Sequence, residues 1–256
     1  MSPLLAMFWA LVLAQGANGP APPFEGQRQV TVGQLVQALE AVARDMEKDP
    51  AVAAELHALA GAERLADDPQ ALREYVRVKL VFEATRDGGF WRLRWAVTNR
   101  EPRSDAIWAQ WKGAAVPEDD GGSRATATAE CDELSALFAF LVRRLGVKDV
   151  GLFWPTSNHT VAVWTARRPG REAPARIVVP TSQVFLDREQ SLGTRAFDPT
   201  TQRTIYPYTR QDIPESDTLP GELARFFVEQ ARRHAARPQQ ELQRARNQRS
   251  EKMGGS

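Results

Sequence analysis

Val32, Leu35, Val36, Leu39, Val42, Ala43 and Met46 recur at helical spacing behind Thr31, a residue suited to cap a helix. The pattern predicts a helix from there to about Lys48. Asp49-Pro50 opens a second, with Val52, Leu56, Leu59 and Ala60 on its apolar side and an expected end at Gly61. Asp68-Pro69 opens a third, with Leu72, Tyr75, Val76, Leu80 and Val81 inward. Residues 90–111 are aromatic, and Phe90 to Val97 supports strand and helix alike. Ile107, Trp108 and Trp111 read as a further helical edge, and Pro117 to Arg124 as a loop. Leu134, Leu137, Phe138, Leu141, Val142 and Leu145 form one helical stripe that Gly146 stops. Alternating apolar residues then predict strands over roughly 149–154, 159–166 and 176–186, with a turn at Arg167 to Ala173. Residues 187–218 read as irregular. Pro220 opens a last helix carrying Leu223, Phe226, Phe227 and Ala231, and Pro238 interrupts it.

Composition adds bounds. A chain of 256 residues with 43% hydrophobic content can build one domain or two small ones. A formal net charge of +1 argues neither for nucleic acid nor for an acidic substrate, and no nucleic-acid partner is expected. From Arg225 onward there are eight basic and three acidic residues, read as a solvated, disordered tail or as a contact for anionic polymer or lipid. Leu4 to Ala14 is an apolar run too short to span a bilayer and suited to a signal-peptide core, with cleavage after Ala14 or Ala17. No Lys or Arg precedes the run, so only the α-amino group supplies the positive n-region. A buried N-terminal helix is the alternative. Residues 15–28 read as a linker, 29–124 as a helical region framing a core at 125–218, and 219–256 as the C-terminal helix and tail. The expected location is the periplasm or the exterior, with no membrane-integral segment after cleavage.

Cys131, the sole cysteine, stands at the mouth of the Leu134–Leu145 helix, and His159 opens a following strand. Unpaired N–H groups at a helix start favour a thiolate and can also hold an oxyanion. A nearby imidazole can serve as the base. The acidic neighbours Glu130, Asp132 and Glu133 oppose the thiolate, while suiting the helix dipole. An inert buried thiol and a histidine that only caps a hairpin are the plainer readings. If the hairpin centres near Gly170, Thr181 lies across from His159. Thr181 or Gln183 could then accept a hydrogen bond from the imidazole, while Asp198 would have to come from the next loop. One cysteine and three scattered histidines give no metal-ligand spacing. A phosphate-binding glycine loop is also absent, so no cofactor is expected.

Over about residues 131–186 the chain resembles the transglutaminase-like superfamily, including its bacterial cysteine-protease branch. The residues that carry the resemblance are Cys131 to Leu137, Arg143-Arg144-Leu145-Gly146-Val147, Asn158-His159-Thr160-Val161-Ala162-Val163-Trp164 and Ile177-Val178-Val179-Pro180-Thr181. The resemblance implies an α+β, papain-like fold, with the cysteine helix packed on an antiparallel sheet. It also implies a Cys-His-Asp triad that forms a thioester with a peptide or protein substrate and passes the acyl group to water or an amine. Where the family has its aspartate this chain has Val179 or Pro180. Gln110 has the chemistry of the second oxyanion donor expected in papain-like sites. A transglutaminase-like module that binds without catalysing is the alternative.

Overall fold

The computed structural model describes residues 23–86, 89–91, 95–97, 104–114, 116, 127–129, 131–156, 159–170, 173–181, 206–207 and 214–236. The elements are β1 (Gln29–Thr31), α1 (Val32–Met46), α2 (Pro50–Glu63), α3 (Pro69–Thr85), β2 (Trp95–Val97), α4 (Ser104–Lys112) and β3 (Ala127–Ala129). They continue with α5 (Cys131–Arg144), β4 (Val150–Thr156), β5 (His159–Ala166), β6 (Ala175–Val179), β7 (Tyr206–Pro207), β8 (Thr218–Pro220) and α6 (Gly221–Ala236). The expected leader at 1–14, the 117–124 loop and the tail beyond Ala236 lie outside the described residues, as does residue 238.

The helix starts follow from their caps. The Thr31 hydroxyl accepts the Gln34 N–H at 3.1 Å, and the Gln34 side chain accepts the Thr31 N–H at 2.9 Å. Asp49 takes the Ala51 N–H at 2.9 Å. Asp68 takes those of Gln70 and Ala71 at 3.0 and 2.9 Å. Helix α2 runs past the expected stop at Gly61. It closes on Arg64, which is left-handed at φ 58°, and the Leu65 N–H reaches back to Ala60 O at 3.0 Å. Leu65 and Ala66 are buried, so the chain folds over the helix end there and not three residues earlier.

Helix α3 is more central than its apolar stripe predicts. Every residue from Tyr75 to Thr85 is buried, and Leu72 is only half-buried. Burial of Arg77 and Lys79 requires partners. Arg77 bonds both Glu40 of α1 and, at 2.6 Å, Glu47 just past its end, while Lys79 pairs with Glu55 of α2 at 2.8 Å. Burial disfavours the Arg77 charge, but the two carboxylates outweigh it and raise its pKa.

Helix α5 lies against β4 and β5 of a four-stranded antiparallel sheet ordered β6-β5-β4-β7. On the α5 side Ala162, Trp164, Ile177 and Val179 join the core that also holds Leu35, Val76, Trp111, Leu137 and Phe227. The other side gathers Phe153, Val161, Val163 and Val178. The helices at 29–112 and α6 therefore share one apolar core with the sheet, and the fold is α+β.

Within 90–111 the described residues include the strand β2 and the helix α4, whose Ile107, Trp108 and Trp111 are buried as expected. Sequence reading missed β7 and two small pairings, β1 with β8 antiparallel and β2 with β3 parallel. Strand β6 ends at Val179, seven residues short of the expected 186, and residues 182–186 lie outside the described ones. Pro220 ends β8 instead of opening the last helix, which starts at Gly221. The Gly221 N–H bonds Arg28 O at 3.0 Å, and a side-chain carbon there would collide with the Gln27 carbonyl. Among the described residues no helix is long and apolar enough to cross a membrane.

Candidate functional site

Cys131 is the first residue of α5. The first N–H groups of a helix have no partner within it, so a sulfur placed there meets a positive end of the peptide dipoles. Asp132 and Glu133 follow in the first turn, and Glu133 is buried at 2% exposure. Arg143 and Arg144 occupy the last turn, and Gly146, at φ 89°, turns the chain toward β4. The macrodipole therefore has charges of favourable sign at both ends. Its acidic end is the one that holds the thiol.

The sulfur is tied to the sheet. The Thr160 backbone N–H donates to Cys131 Sγ at 3.3 Å. Thr160 is the second residue of β5 and directly follows His159. The start of the cysteine helix and the start of the histidine strand therefore meet at the backbone. The backbone of His159 pairs with Thr156 across an irregular β4–β5 register, and its side chain lies outside the described residues. Cys131 is buried, at 8% exposure.

Thr181 is displaced by one position from its expected partner. The β5–β6 register runs from Ala166↔Ala175 to Ala162↔Val179, which centres the hairpin between Gly170 and Arg171. Continued by two residues, it sets Thr181 across from Thr160, not His159. A one-residue slip changes the face on which a side chain lies. The Thr181 hydroxyl is accordingly on the α5 side, 3.0 Å from the hydroxyl of Ser135, and Thr181 is buried at 1% exposure. The Ser135 hydroxyl also donates to Cys131 O at 2.8 Å and lies 3.3 Å from Thr160 O.

Gln183 and Asp198 lie outside the described residues. Gln110 is half-buried on α4 between the buried Trp108 and Trp111. Sequence reasoning missed Ser135. A serine inside an otherwise apolar helical stripe was the available signal. It also missed Thr160, whose contribution is a backbone N–H and leaves no mark in a side-chain pattern.

The arrangement places a buried thiol at a helix start, within hydrogen-bond reach of a strand N–H. Among the described residues no group of three or more His, Cys, Asp or Glu side chains could hold a metal ion. Compared with protein-family models, with curated proteins and with solved structures, the chain matches none of them.

Proposed function

We propose that this chain is an exported thiol hydrolase or acyltransferase of the transglutaminase-like, papain-like type, acting on peptide or protein amide bonds. The observation that carries the reading is the 3.3 Å bond from the Thr160 N–H to Cys131 Sγ. It brings a helix-start thiol to the residue beside the histidine that the sequence order offers as its base. In this reading the Cys131 thiolate attacks the amide carbonyl carbon, and the helix-start N–H groups hold the resulting oxyanion. The C–N bond then breaks, and the His159 imidazolium gives its proton to the departing amine. A thioester remains on Cys131. Water or an amine, deprotonated by His159, attacks it and releases the thiolate. The imidazole needs a group to orient it. Gln183 and Asp198 are the candidates, since the Thr181 hydroxyl is engaged with Ser135.

The second reading, a module that binds without catalysing, draws on the residues from Arg176 to Thr181, none of which is acidic, and on the low exposure of the sulfur. Incubation with a p-nitrophenyl acyl ester separates the two readings. The catalytic reading expects a transient acyl adduct on Cys131, seen by mass spectrometry, that forms and decays more slowly in His159→Ala. Absence of any adduct on Cys131, or one indifferent to His159, would leave the binding reading.

A further inference from the structure

Ser135 is the only hydroxyl-bearing residue of α5, one turn beyond Cys131, and it is fully buried. A hydroxyl taken out of water must be bonded to be tolerated. A single serine has one proton to give. Donation to Cys131 O at 2.8 Å uses it, and leaves Ser135 Oγ as the acceptor for the Thr181 hydroxyl at 3.0 Å. The Thr160 carbonyl at 3.3 Å is a weaker competitor for the same proton.

The first of these bonds stays within α5 and is an ordinary back-bond of a helical serine. The others join separate elements. Thr181 follows the end of β6, Thr160 stands near the start of β5, and both converge on the one residue that also holds the cysteine carbonyl. Thr160 meanwhile gives its N–H to the cysteine sulfur. The helix start and the two strand ends thus converge on Ser135, and one of those strand ends also holds the sulfur. An alanine at 135 facing a valine at 181 would fill similar space without burying two hydroxyls, so packing does not account for this pair.

We infer that Ser135 and Thr181 are positioning residues of the thiol site: they fix the distance between the start of α5 and β5, and so keep the Thr160 N–H on the sulfur. The inference rests on the thiol reading proposed above, and it assigns Thr181 to the sulfur side of the site and not to the imidazole. Loss of either hydroxyl releases the strand ends from the helix start, and the N–H bond to the sulfur lengthens. A hydrogen bond to a charged group is strong enough that weakening it moves a titration by about one pH unit.

The test is the pH dependence of Cys131 alkylation by iodoacetamide in the full chain. Ser135→Ala and Thr181→Val should each move the midpoint upward by about one pH unit and slow the reaction near neutral pH about tenfold. Thr181→Ser, which keeps the hydroxyl, should retain the wild-type midpoint. The double variant should shift no further than either single one, because both remove the same Ser135–Thr181 bond. Unchanged midpoints in folded Ser135→Ala and Thr181→Val would overturn the inference. So would failure of both to fold, which would make the Ser135–Thr181 bond scaffold alone. Failure of the thiol reading shows elsewhere, as a wild-type midpoint in His159→Ala.

Discussion

Phe227 tests whether α6 belongs to the same cooperative unit as the thiol site. Its side chain is fully buried and stacks on Trp91 at 4.2 Å and on Trp111 at 5.6 Å between ring centroids. Trp91 Nε1 donates to the Phe227 carbonyl at 3.0 Å, and Trp111 in turn lies 5.1 Å from Trp108. Phe227→Ala keeps the backbone carbonyl, so the indole bond survives while the stack loses its middle ring. A buried Phe→Ala change costs about 3–5 kcal/mol, counting lost transfer energy and the residual cavity. That is a large share of the 5–15 kcal/mol typical of a whole domain. At this chain length it corresponds to a fall of roughly 6–20 °C in melting temperature. Phe227→Leu, which fills much of the space, should cost about 1–2 kcal/mol. Urea unfolding followed by tryptophan emission and by far-ultraviolet circular dichroism gives the numbers. The two signals should move together, because the seven tryptophans, Trp91 and Trp111 of the stack among them, and the helices unfold as one unit. A cost below about 1 kcal/mol, or an emission change that precedes the loss of helix, would refute the single-core argument.

Three further outcomes follow from the same contacts. Arg77→Ala leaves the Glu40 and Glu47 carboxylates facing each other without their shared cation. It should cost about 2–4 kcal/mol by denaturant unfolding, below the fully buried case because both acids are partly exposed. Asp68 has its carboxyl pKa held below the usual 3.8 by the Ala71 N–H first and by Arg167 next. A depressed folded pKa means stability that is present above about pH 4 and lost as pH falls through the folded value. The stability gap between wild type and Asp68→Ala should therefore hold steady from neutral pH down to about pH 4 and narrow only as pH falls further, as read by melting temperatures across pH. Cys131→Ala should abolish any acyl-transfer activity while leaving the melting temperature within a few degrees, and residual activity would remove Cys131 from the mechanism.

The parts legible in the sequence are those set by short-range chemistry. Thr31, Asp49 and Asp68 announce helix starts because a side-chain oxygen satisfies N–H groups two or three residues ahead. The stripe on α5 and the Cys131-to-His159 order likewise sit within a few turns of chain. What stayed hidden depends on distant partners. The charged residues of α3 gave no sign of burial, because Glu40, Glu47 and Glu55 come from other helices. Strands of three residues, such as β1 and β8, are too short to alternate visibly, and only their pairing defines them. The end of α2 depends on Leu65 finding the core, which overrides the glycine at 61. The hairpin centre lies half a residue beyond Gly170, since turn geometry and not composition sets register. That half residue moved Thr181 from the histidine position to the thiol helix.

Whether its surroundings keep the Cys131 sulfur reactive is read from the alkylation rate as a function of pH in wild type and in His159→Ala. A wild-type midpoint below the roughly 8.5 of an ordinary thiol, shifted upward in His159→Ala, is the predicted result. A slow reaction with an ordinary midpoint, the same in both proteins, would contradict it.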